Sequence, residues 1–467
     1  MHLRQRIAMV GWMSAVLAAF AVAQAEPERD PGLVGAWRGE LAVGGESVPV
    51  AMRVFESGKG HRARLVVGAA AIPGSVLKAE VVGSKLSLDL GDQGSYVGDY
   101  DRKRRSLIGQ WRQSKKTGPA LPLAFRRAPE LGDEEYPQQP AGPYPYDVLE
   151  VELPSSDPGR SLYGTLTRPK TPGPHPAVVL HTAFGGFDRD EPMGDRLAFF
   201  VLADVLTRRG MVVVRYDKIG TGKSAGTFVG VSPARYAEDL RAVANWTRSR
   251  PEVDPARVGY LGHSEGAMVA ILAAGDEPRP AFVVSIAPPL QSGEKQAVDM
   301  LSAVGKMVGA PGVLQLVQSV FISRIAAILR EEPDDKLAAA RMSFVPEAFR
   351  SQLASPWARF YLQHDGRASA GRVACPAYVV FMNNDPLVPE KPNSAVANEG
   401  FAGPNRARVR IEIRGDLDHF LMPHEPPKPG ILPVVWTVAP AFLNDLVAWI
   451  APAAGLPAVA APDSRPK

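Results

Sequence analysis

Five residues, Gly262-His263-Ser264-Glu265-Gly266, constrain this chain more than any others, because they stand between two segments of opposite texture. Before them runs Val258–Leu261, an apolar stretch that reads as a buried strand, and after them Ala267–Ala270 opens a helical run. A chain that passes from strand to helix in so few residues must turn sharply, and small neighbours on both sides of the serine make room for it. Such a turn lifts the serine hydroxyl above the edge of a sheet, with the positive end of the following helix dipole aimed at the same place. Glycines around a serine also make ordinary turns. The strand before and the helix after make this one a nucleophile elbow.

Beyond Tyr146 the texture is of strands alternating with helical patterns, the signature of an α/β layered fold. Apolar runs at Ala177–Ala183, Met211–Tyr216, Phe282–Ile286, Ala377–Met382 and Val409–Ile413 read as strands of a mostly parallel sheet with helices on both faces. A helical pattern covers residues 195–209, and Ser232 with Pro233 supplies an N-cap and a first-turn proline for another helix. About 85 residues separate the Phe282–Ile286 strand from the Ala377–Met382 strand, too many for one crossover helix. Helical patterns at Leu301–Met307, Val313–Arg330 and Asp335–Arg341 fall in that interval, so residues 290–372 are expected to form a helical lid over the carboxyl edge of the sheet. A packing subdomain without a gating role is the plainer alternative.

Residues 30–128 differ. Leu86–Leu90 alternates strictly and Val48–Phe55 nearly so, with glycine and proline turns between, which predicts an all-β accessory domain, a small barrel or sandwich. Gly35-Ala36-Trp37 and Gly109-Gln110-Trp111, near its first and penultimate strands, resemble a lipocalin-type opening; a ligand cup and a pair of core rings both fit that pattern. Residues 129–145, with Pro137, Pro140, Pro143 and Pro145, read as a linker, and 453–467 as a flexible tail.

At the N-terminus, Arg4 and Arg6 precede an apolar run from Ile7 to Ala23 and the pattern Ala23-Gln24-Ala25. Residues 1–25 are therefore expected to be a signal peptide cleaved after Ala25, exporting the chain to the periplasm or beyond. About 17 apolar residues fall short of the roughly 20 that span a bilayer, so no membrane span is expected after its removal. The single cysteine, Cys375, excludes an internal disulfide and a thiolate-rich metal site. A net charge of +4 is too small to imply a nucleic-acid partner.

A serine nucleophile needs a base and an acid, in the chain order serine, acid, histidine. Beyond Phe381 only His419 and His424 remain. His419 follows the strand ending at Ile413, whereas His424 lies between Pro423 and Glu425-Pro426 in what reads as a solvated loop. His419 is the candidate base. Asp385 falls at the carboxyl end of the Ala377–Met382 strand and is the candidate acid, although Asp-Pro is also a common turn cap. Asp418 is its rival, disfavoured because adjacent side chains point apart. No His-Glu-x-x-His motif or carboxylate cluster implies a metal, and Gly220–Ser224 lacks the first glycine of a phosphate loop.

At these residues the sequence resembles the α/β-hydrolase superfamily, in particular exported bacterial hydrolases of the serine aminopeptidase and dienelactone-hydrolase-like esterase branches. The resemblance covers roughly residues 146–452. Besides the elbow, Asp385 and His419, it rests on Tyr163–Leu166 with Pro169, on Asp188–Glu191 and on Arg215–Ser224. It implies an oxyanion hole formed by the backbone N–H of Glu265 and that of Phe184, although Ala183-Phe184-Gly185 stands where the family usually has Gly-Ser-Gly. It also implies that Asp217 and Arg189 anchor loops, and that no cofactor is needed.

The expectation is a serine hydrolase that cleaves a small ester or amide through an acyl-enzyme, with carboxylic esters first and aminopeptidase or acyl-peptide cleavage as the alternative. A different class, a non-catalytic ligand-binding protein on a vestigial hydrolase scaffold, is disfavoured by the intact Ser264, Asp385 and His419.

Overall fold

A computed structural model describes residues 32–458, apart from 44, 58–59, 68–69, 72–76, 91–93, 113–119, 129–137, 141, 194–195, 308–311 and 424–435. The expected signal peptide, most of the expected linker, the last residues of the tail and His424 lie outside the described residues. The described chain divides into two compact units.

The smaller unit is all β. Its strands are β1 (Gly35–Val43), β2 (Glu46–Ser57), β3 (Gly60–Val67), β4 (Ala70–Ala71), β5 (Leu77–Val82), β6 (Lys85–Asp89), β7 (Ser95–Asp101), β8 (Ser106–Arg112) and β9 (Ala120–Arg127). They run in the order β2-β1-β9-β8-β7-β6-β5-β3-β4, and β2 also pairs with β3, so eight strands close into a barrel. Alternation explains the closure: in β6, Leu86 and Leu88 point inward while Lys85 and Asp89 face water. Trp37 and Trp111 belong to the barrel core, as does Phe125, which meets Tyr96 edge to face at 5.2 Å. The Trp37 ring nitrogen donates to the Leu33 carbonyl at 3.0 Å. Both tryptophans are thus core rings.

The larger unit carries an eight-stranded sheet. It opens with the antiparallel pair β10 (Tyr146–Pro154) and β11 (Ser161–Pro169), followed by β12 (His175–His181) and the two-residue strands β13 (Pro192–Met193) and β14 (Arg196–Leu197), which form a separate hairpin. Then come α1 (Ala198–Arg208), β15 (Val212–Tyr216), α2 (Pro233–Arg248), β16 (Val253–His263), α3 (Glu265–Ala274) and β17 (Val283–Ile286). After an insertion follow β18 (Ala377–Met382) and β19 (Val409–Arg414). The strand order is β10-β11-β15-β12-β16-β17-β18-β19, parallel from β15 onward.

Both faces of this sheet are covered at its centre, which is why β12, β15, β17 and β18 are buried along their whole length, whereas the edge strands β10 and β19 alternate apolar and charged residues. In β12, Val178 and Leu180 pack with α1 and with the C-terminal helix, whereas Ala177 and Val179 pack with α2 and α3. Ser232 caps α2 as its sequence suggested, accepting from the Arg235 N–H at 3.2 Å with Pro233 in the first turn.

Among the described residues, the insertion between β17 and β18 holds six helices: α4 (Gly293–Met307), α5 (Gly312–Glu331), α6 (Asp335–Arg341), α7 (Glu347–Leu353), α8 (Pro356–Gln363) and α9 (Gly366–Gly371). Much of it packs around its own cluster, which includes Ile325, Leu329, Met342 and Leu362. Two further helices, α10 (Glu390–Gly400) and α11 (Pro440–Ala453), complete the unit. Among the described residues no helix is long and apolar enough to cross a membrane.

Candidate active site

β16 ends at His263 and α3 begins at Glu265, so Ser264 alone makes the turn, at φ 55° and ψ −121°. A positive φ is strained for any residue with a β-carbon, and such strain persists only where the surroundings impose it. Here the Ser264 N–H is tied to the Ile286 carbonyl of β17 at 2.8 Å. The glycines are required by contact as well: a β-carbon at Gly262 would lie 2.0 Å from the Gly266 carbonyl oxygen, and one at Gly266 would lie 2.3 Å from that of His181.

The structure brings Asp385 and His419 together from loops that follow β18 and β19. His419 Nδ1 and Asp385 Oδ2 are 2.6 Å apart, with both side chains nearly inaccessible to water. Asp385 Oδ1 accepts the N–H groups of Leu387 and Val388, each at 2.8 Å. The carboxylate is therefore both an Asx-type cap and the partner of the imidazole. Asp418, the rival acid, instead accepts the N–H groups of Phe420 and Met422, each at 2.9 Å, and shapes the loop that carries His419.

Several residues with no role assigned from sequence surround this pair. His263, beside the serine, donates through Nε2 to the His419 carbonyl at 2.8 Å, and its Nδ1 is paired with Glu191. Glu191 also accepts the Ala183 N–H at 2.9 Å, and the Lys218 ammonium donates to the Ala183 carbonyl. Burial alone would lower the His263 pKa, but the Glu191 carboxylate outweighs it and the net shift is upward. Lys218 is pulled down to about 8 by burial, against the favourable charges of Glu265 and Glu191. Their only trace in the sequence was membership of the Asp188–Glu191 and Arg215–Ser224 segments and of the elbow.

Of the two residues named for the oxyanion hole, Glu265 heads α3, where N–H groups have no partner within the helix. Its buried carboxylate accepts from the Trp357 ring nitrogen of α8 at 2.5 Å, and burial raises its pKa. Phe184 is 47% exposed, its ring 4.9 Å from that of Trp357. These side chains, with Phe228, Tyr236 and Ser355, line a recess next to the elbow. Arg189 and Asp217 form a buried two-pronged ion pair at 3.0 and 2.7 Å, and Arg189 reaches on to Glu150 and Thr165. That arrangement anchors loops, as the motif implied. No cluster of His, Cys, Asp or Glu among the described residues is arranged to hold a metal.

Residues 159–367 match the profile of the X-Pro dipeptidyl-peptidase (S15) family. The esterase EstD of Thermotoga maritima is 29% identical over 329 residues, 70% of this chain and 71% of its own. A thiohydrolase of Arthrinium phaeospermum is 30% identical over 30% of this chain and 42% of its own. Among solved structures, the Pyrococcus furiosus esterase Pf2001 is 17% identical with a TM-score of 0.39, over 61% of this chain and 88% of its own. With its parallel sheet, its elbow between β16 and α3 and its matches in sequence, the chain is a hydrolase of the α/β-hydrolase superfamily.

Proposed function

We propose that the chain is a serine hydrolase of carboxylic esters working through an acyl-enzyme. The observation that carries this reading is the 2.6 Å contact between Asp385 and His419, two residues 34 positions apart in sequence. In the proposed reaction Ser264 Oγ attacks the ester carbonyl while His419 Nε2 takes the hydroxyl proton. Asp385 holds the ring with its proton on Nδ1 and stabilises the imidazolium that forms. The N–H groups of Glu265 and Phe184 receive the oxyanion, His419 returns the proton to the departing alkoxide, and water repeats the sequence to release the acid.

The esterase name of the relative that aligns over 70% of the chain favours esters. The S15 match over residues 159–367 favours the second reading, cleavage of peptides or aminoacyl amides. A panel of short acyl esters and aminoacyl amides separates the two, with esters expected to turn over faster. A fluorophosphonate probe should label the folded protein and spare Ser264→Ala. Failure to label the wild type would leave a ligand-binding protein on a hydrolase scaffold. Export is proposed from residues 1–25, and fractionation of the producing cell should find the mature chain beginning at Glu26.

A further inference from the structure

Ala183 is held at both ends of its backbone. Its N–H donates to Glu191 at 2.9 Å and its carbonyl accepts from the Lys218 ammonium. In a planar trans peptide the carbonyl and the next N–H point in opposite directions. The grip of Lys218 on the Ala183 carbonyl therefore sets the direction of the Phe184 N–H, which makes no hydrogen bond among the described residues.

Glu191 has a second partner. Its other oxygen pairs with His263 Nδ1, and His263 Nε2 donates to the His419 carbonyl at 2.8 Å. With a carboxylate at Glu191 both partners of the His263 ring are acceptors, so both nitrogens donate and the ring is held as an imidazolium, the state toward which the Glu191 charge shifts it. Lys218, Glu191 and His263 are at most 4% exposed. Burying such charges is costly even when they are paired, and an apolar filling is often at least as stable. These charges stand where the loop after β12, the elbow and the loop after β19 converge.

Building on the serine-hydrolase reading above, we propose that Lys218, Glu191 and His263 are positioning residues that act as one clamp. Lys218 aims the Phe184 N–H at the oxyanion. Glu191 and His263 tie that loop to the backbone of His419, so that oxyanion donor and base keep one register. None of the three touches the reacting atoms.

The test compares Lys218→Met, Glu191→Leu and Glu191→Gln by kcat and KM on a short acyl p-nitrophenyl ester, and by affinity for a boronic acid, which mimics the tetrahedral adduct. Misaiming one oxyanion donor should lower kcat about 100-fold in Lys218→Met, leave KM within about threefold and weaken boronic acid binding in step. Glutamine can still accept the Ala183 N–H and donate to a neutral His263, so Glu191→Gln should recover at least about tenfold of what Glu191→Leu loses. A folded Lys218→Met with kcat within twofold of wild type, or with its loss confined to KM, overturns the clamp. Should Lys218→Met not fold, equal activities of the two Glu191 variants overturn it. Failure of the wild type to take the fluorophosphonate label would instead remove the underlying reading.

Discussion

Replacing Asp385 by asparagine removes one charge and changes almost no volume, yet the surroundings dictate how the new amide must sit. Oδ1 of Asp385 is held by the N–H groups of Leu387 and Val388, each at 2.8 Å. An asparagine keeps its carbonyl oxygen there, because flipping would confront two buried donors with an NH2 group, at roughly 1–3 kcal/mol for each donor left unpaired. Its NH2 then occupies the position 2.6 Å from His419 Nδ1 and must donate to it. His419 is forced to accept at Nδ1 and carry its proton on Nε2, the nitrogen that should receive the Ser264 proton. The base is lost through the wrong tautomer, and the imidazolium through the missing charge. The expected fall in kcat is about 10⁴-fold, or about 5.5 kcal/mol of barrier. Steady-state hydrolysis of a short acyl ester measures it, with thermal melting to confirm that the variant folds. The control is Asp418→Asn, whose target caps Phe420 and Met422 and should lose far less activity. If Asp385→Asn keeps more than a tenth of wild-type kcat while Asp418→Asn is inactive, the acid has been misassigned.

The remaining expectations are more compact. In Gly266→Ala the new β-carbon meets backbone oxygens of His181 and Thr182 at 2.3 and 2.6 Å, so the elbow must shift. Fluorophosphonate labelling should collapse, and denaturant unfolding should show a loss of roughly 3 kcal/mol. Arg189→Met removes the cation from the buried Asp217 carboxylate, leaving it only the backbone N–H groups of positions 189 and 223, and should cost about 3–5 kcal/mol by the same measurement. His364 is buried and its pKa falls from 6.5 to about 4, chiefly through burial. The unfolded chain takes up a proton near pH 6.5 that the folded chain refuses until about pH 4, so stability falls as the pH drops through that window. The loss approaches roughly 3 kcal/mol at the acid end. His364→Phe, placed against Phe360, should flatten that part of the curve; an unchanged acid slope in urea titrations would refute the assignment.

How much of this was legible in the chain depended on whether a residue's role is local. The strand at Ala377–Met382 and the helix at Asp335–Arg341 were read to the residue, because a fully apolar run and a capped helix carry their own boundaries. The insertion was read as three helices and has six among the described residues. The other three, α7 to α9, are 6 to 8 residues long, as short as α6; α8 and α9 carry caps of their own at Ser355 and Asp365, local signals that the sequence reading passed over. The helix expected over residues 195–209 starts at Ala198, because the chain first closes the β13–β14 hairpin.

The site divides along the same line. Ser264 was legible because an elbow is a local object, with strand, glycines and helix within reach of one another along the chain. Asp385 and His419 followed from chain order and from their places after strands. The sequence by itself thus determined the α/β class and the elbow, which rest on patterns within a few residues each, and named Asp385 and His419 as candidates by their order along the chain. The tertiary structure pairs Asp385, the acid favoured from sequence, with His419, and it alone revealed that Glu191, His263 and Lys218 join three loops beneath them. Those contacts span up to 156 positions, and a buried charge reveals its partner only after folding has removed the water that would otherwise have solvated it.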